Sequence, residues 1–78
     1  MTGTMIRDEI SKNASSTVIM DTHLRGMIRE MENHKEILDD ITFGEIKTMK
    51  ADLTRIIDYC ADIIDLANKL KAKMDNLE

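Results

Sequence analysis

Residues 46–77 read IKTMKADLTRIIDYCADIIDLANKLKAKMDNL. Within them Ile46, Met49, Leu53, Ile56, Cys60, Ile63, Ala67, Leu70, Met74 and Leu77 recur at alternating steps of three and four, and no step misses. That spacing puts the apolar side chains along one stripe of an α-helix. Sustained over the whole stretch, it is the seam of a coiled coil or helical bundle, a surface shaped to pack against other helices.

The start of this helix is marked just upstream. In Thr42-Phe43-Gly44-Glu45, the Thr42 hydroxyl can accept from the backbone N–H of Glu45 while the Glu45 side chain reaches back to the N–H of Thr42. This is a capping box, with Ile41 and Ile46 placed as a hydrophobic staple. The expected helix runs from about 43 to about 76. Lys69, Lys71 and Lys73 fall near its negative end, where the helix dipole favours them.

The first half reads as a second long helix, from about 5 to about 40. Its seam is Ile6, Ile10, Asn13, Thr17, Met20, Leu24, Met27, Met31, His34, Leu38 and Ile41. Thr2 or Thr4 is the expected cap, with Asp8 and Glu9 in the first turn. The weak stretch is Asn13 to Thr17, whose side chains compete with the backbone for hydrogen bonds. A break there, giving a short leading helix over about 4–13, is the alternative. A turn at about 40–43 joins the two helices. So short a join predicts antiparallel neighbours.

Composition agrees with an all-α fold. The 78 residues include no proline, three glycines, seven methionines, one tyrosine and one phenylalanine, which argues against a sheet. The length allows one domain. The net charge of −4 argues against a nucleic-acid partner. It is spread evenly, with five Lys/Arg against eight Asp/Glu in residues 1–41 and six against seven in 42–78. Nothing resembles a membrane span or a signal peptide, and Gly3 stands one place too late for myristoylation. With Cys60 the single cysteine, no internal disulfide can form, and a cytoplasmic setting is expected.

Two helices of about 35 residues, each roughly 50 Å long, are too long and thin to enclose a core as one hairpin. The second seam also widens in its middle through Ile57, Tyr59, Ile64 and Leu66, and a wide apolar face requires two or more neighbours. The expectation is a homo-oligomer, most simply a dimeric four-helix bundle. Its shape resembles that of Rop-type dimers, in which two helical hairpins form such a bundle.

Several residue groups carry candidate chemistry. Ser15, Ile19, Thr22 and Gly26 recur at steps of four, three and four away from the first seam, with Val18 beside them. Small residues around two branched ones suit close approach of a partner helix. The competing reading is a register shift after 13–17 that turns Val18 and Ile19 inward. Asp58, Asp62 and Asp65 form an acidic stripe that suits a basic partner or a plain solvated face. Arg25, Arg29, Lys47 and Lys50 would hold a small anionic ligand such as a nucleotide if an assembly made them converge. His34, near Glu30, Glu36 and Asp39, lacks the Glu-x-x-His spacing of di-iron bundles because Met31 occupies the needed position. It reads as a polar layer of the core, not a metal ligand. His23 and Cys60 would approach each other in a hairpin, but a seam cysteine behaves mostly as a small hydrophobe.

No catalytic or cofactor motif is present, so the expected class is non-enzymatic. The first expectation is a small regulator or inhibitor, of a style common in phage and mobile elements, that acts by protein–protein contacts. Val18, Ile19, Thr22, Gly26, Asp58, Asp62 and Asp65 are its contact residues. The alternative is an oligomer that sequesters a small anionic ligand between subunits. A third is a coiled-coil assembly factor or chaperone.

Overall fold

The computed structural model describes residues 1–77. The protein is all-α, with α1 spanning Gly3–Asn33 and α2 spanning Phe43–Asp75, and no strand occurs among the described residues. The chain divides into two units, Met1–Asp40 and Ile41–Glu78, each carrying one helix. Among the described residues no helix is long and apolar enough to cross a membrane.

In the first unit, Thr2 is the N-cap, with extended backbone (φ −90°, ψ 163°) and its hydroxyl accepting from the Met5 N–H at 3.2 Å. Of the two candidate caps, Thr2 takes the role and Thr4 lies inside the helix. The earlier start removes Asp8 and Glu9 from the first turn, which holds no acid.

The alternative of a break at 13–17 with a separate leading helix is not taken: α1 runs through the stretch unbroken, as a single first helix requires. The Thr17 hydroxyl donates to the Asn13 carbonyl oxygen at 2.9 Å. It therefore bonds within the helix and leaves the ladder continuous. Thr22 does the same to Val18 at 3.0 Å, and in α2 Thr48 and Thr54 donate to Gly44 and Lys50. Helix extension is cooperative, so a short polar stretch inside a long run costs less than starting a second helix beyond it.

The far end of α1 departs further from expectation. The helix stops at Asn33 instead of about 40, because His34 leaves helical geometry (φ −132°, ψ 85°) while its N–H still bonds the Glu30 carbonyl oxygen at 2.8 Å. Asn and His are weak helix formers. The last turn also carries Glu30 and Glu32 but no basic residue, which sets like charge against the negative end of the dipole. Beyond it the backbone makes consecutive turns, with Ile37 N–H bonding the His34 carbonyl and Asp39 N–H that of Glu36. The first seam is thus helical only from Ile6 to Met31. His34, Leu38 and Ile41 fall outside it. The connection occupies residues 34–42 rather than 40–43, a length that by itself dictates no helix pairing.

In the second unit, Thr42 caps α2 (φ −72°, ψ 158°) and its hydroxyl accepts from the Glu45 N–H at 3.1 Å. The return contact differs in detail from the expected box: Thr42 Oγ1 donates to Glu45 Oε1 at 3.0 Å. The hydroxyl thus locks side chain and backbone of Glu45 together. Lys73 lies in the last turn, and the helix ends at Asp75 with Asn76 as C-cap. Leu77 therefore extends the spacing of the seam but not its helix.

Taken separately, neither helix contains a buried residue. Apart from Gly26, the half-buried positions within the two helices belong to the seams. Ile6, Met20, Leu24, Ile46, Ile56 and Cys60 are half-buried, and Leu70 and Met74 are 39% and 38% exposed. The flanking Tyr59 is 67% exposed.

Thr42→Ala removes both the accepted and the donated bond at the head of α2. It should cost about 1 kcal/mol, read as a lower thermal midpoint by circular dichroism with the helical spectrum retained at low temperature.

Candidate interaction surfaces

The unbroken α1 fixes the register of the small-residue stripe. Ser15, Ile19, Thr22 and Gly26 lie on one continuous helix with Val18 beside them, and no buried residue marks an inward face of that helix. Val18 is 64% and Ile19 56% exposed. At Gly26 a Cβ would meet nothing within 4 Å. In this unit the glycine therefore answers no crowding of its own, and the helix bears its cost of roughly 1 kcal/mol relative to alanine.

Next to this stripe lies an open groove of about 400 Å³ lined by Thr22, Arg25, Ile28 and Arg29. Arg25 is engaged: its Nε donates to Asp21 Oδ2 at 2.9 Å, one turn back. That hydrogen bond, with the carboxylate charge behind it, raises the guanidinium pKa further above its ordinary value. Arg29 makes no ion pair among the described residues. Lys47 and Lys50 are exposed at the start of α2, in the other unit. Of the four cations read from the sequence, the structure thus brings two onto one groove, and one of those two already holds a carboxylate.

Ile28 was not singled out in the sequence. It is 56% exposed and shares the groove with both arginines. Its signal was present, since it stands three residues from Arg25 and immediately after the seam residue Met27.

On α2 the acidic stripe is partly neutralised. Asp65 pairs with Lys69 Nζ at 3.0 Å, and the nearby Asp52 with Arg55 at 2.7 Å. Both pairs are well exposed, so each contributes a few tenths of a kcal/mol at most. Asp58 and Asp62 make no ion pair among the described residues and carry the free negative charge of that face.

The expected polar core layer at His34 is corrected by its position: it is the C-cap of α1, not a helical seam residue, with Nε2 3.8 Å from Glu30 Oε2. Among the described residues no group of three or more His, Cys, Asp or Glu side chains is placed to hold a metal ion. His23 is exposed on α1 and Cys60 half-buried on α2, in separate units.

No protein-family model, curated protein or solved structure matches this chain.

Proposed function

We propose that the protein is a non-enzymatic, self-associating helical interaction module, a small regulator or inhibitor that acts by protein–protein contacts in the cytoplasm. The observation that carries this reading is α2: nine apolar residues in unbroken 3–4 spacing on one helix, none of them buried. Helices in water draw most of their stability from packing an apolar face, not from intrinsic propensity. Covering the remaining exposed surface of a seam leucine such as Leu53, 46% exposed, is worth about 1 kcal/mol. Across the seam that is enough to drive association against its entropic cost. The apolar flanks at Ile57, Tyr59, Ile64 and Leu66 widen the face beyond one neighbour, which favours a bundle of at least four helices, such as two hairpins side by side.

In this reading the α1 stripe of Val18, Ile19, Thr22 and Gly26, with the free Asp58 and Asp62 of α2, faces the regulated partner. Asp65 lies beside them, already paired with Lys69. Seven methionines make the apolar surface adaptable.

Light scattering after size-exclusion chromatography tests the self-association. The expected result is a helical species of fixed subunit number that Ile56→Asp converts to monomer. A well-folded, concentration-independent wild-type monomer would refute it. Ile19→Asp tests the α1 surface. It should leave subunit number unchanged while abolishing capture of a host protein, and unchanged capture would mean the surface is idle.

A second reading, sequestration of a small anionic ligand, is favoured by the groove that Arg25 and Arg29 share. It is the weaker of the two because Asp21 already occupies Arg25. Ligand binding to the folded state raises its stability, so a thermal-shift screen with nucleotides discriminates the readings. A rise abolished by Arg29→Ala would support sequestration, and no shift at millimolar nucleotide would eliminate it.

A further inference from the structure

We propose that the occupant of the α2 seam is the α2 helix of a second copy, lying antiparallel and centred between Ala61 and Asp62. The proposal rests on the self-association argued above and adds its orientation and register.

Heptad lettering of α2 places Ile46, Leu53, Cys60, Ala67 and Met74 at the a positions and Met49, Ile56, Ile63 and Leu70 at the d positions. Reversing one helix against its copy sets each a residue opposite a d residue. In the centred register Cys60 meets Ile63 of the second copy, Ala67 meets Ile56, Leu53 meets Leu70, and Met74 meets Met49. Each small side chain thus faces a large one. A parallel, in-register pair instead sets Cys60 against Cys60 and Ala67 against Ala67, two thin layers alternating with Ile56, Ile63 and Leu70 layers that hold the helices apart. Alternating large and small across facing positions fills the space between helices, whereas unfilled layers are costly.

Charge agrees along one edge and opposes along the other. The g edge begins with Glu45 and Asp52 and ends with Lys73, so reversal brings acid to base at both ends. The e edge carries Lys50 and Lys71, which reversal brings near each other. A parallel pair would match Glu45 with Lys50 and meet no like charge. Exposed ion pairs are weak, however, and a poorly filled core layer is not, so packing decides the orientation. The apolar flanks obey the same symmetry: Ile57 meets Ile64 on the e edge and Tyr59 meets Leu66 on the g edge. The α1 seam is a poorer occupant because it would set Asn13 against an all-apolar stripe, where its amide finds no partner.

Cysteine cross-linking of the full chain tests this. In a Cys60→Ala background, Leu53→Cys and Leu70→Cys variants are prepared separately, checked for helicity and subunit number, then unfolded together, refolded and treated with diamide. The antiparallel register expects little disulfide dimer from either variant alone and a strong dimer band from the mixture. A band from each variant alone, with no gain on mixing, would establish the parallel pair and overturn the proposal. No band in any sample that remains oligomeric by light scattering would show that something other than α2 covers the seam, and would overturn it also. Monomeric wild-type protein would defeat the underlying self-association instead, so the two failures are distinguishable.

Discussion

Everything in this molecule depends on the mismatch between the apolar stripe of α2 and the water around it. A helix of 33 residues without a buried side chain is held by backbone hydrogen bonds, its cap and exposed ion pairs alone. The exposed ion pairs contribute tenths of a kcal/mol each and the cap about 1 kcal/mol, on a propensity that is itself marginal. The stripe holds the larger reserve, and it is released only when another helix excludes water from it. In the proposed reading the question of function becomes one of occupancy: which helix covers α2, and what that leaves facing outward.

Helix ends and helix faces are determined by different chemistry here. Thr2 and Thr42 each accept a bond from the N–H three residues on, and both helices begin where those hydroxyls stand. The threonines inside the helices turn the same group backward onto the carbonyl four residues earlier. One residue type thus starts a helix at one position and is absorbed by it at another. What separates the cases is whether a helical turn already precedes it. This is why the Asn13–Thr17 stretch, with its cap-forming residue types, failed to break α1.

Much of the fold was legible in the sequence. The α2 seam and its Thr42–Glu45 box are strong local signals, and they place that helix to within a residue or so at each end. The α1 terminus was harder because Leu38 and Ile41 prolong the 3–4 spacing beyond the helix itself. Periodicity records where apolar residues would line up if the chain were helical. It does not weigh the acidic last turn or the Asn33-His34 pair that end it. The interaction surface was half legible. Val18 and Ile19 are legible as apolar residues off the seam, but which face of α1 packs inward depends on what covers it, which periodicity does not record. Ile28 escaped notice because it adjoins the seam. The Asp21–Arg25 pair, a plain four-residue spacing, is equally legible and sets a carboxylate beside one of the four proposed anion ligands.

The proposed reading gives the two helices different work, and their sequences differ to match. The α2 stripe is apolar throughout, so any polar partner would leave a group without a hydrogen bond against it, and it suits a permanent contact. The α1 seam includes Asn13 and Thr17, and its apolar residues spill onto a second face at Val18, Ile19 and Ile28. A surface divided in this way binds less per contact and releases more readily, which suits an exchangeable partner. Gly26 sharpens the contrast. It weakens α1 and relieves no crowding within its own unit, which accords with the close helix approach proposed for that face.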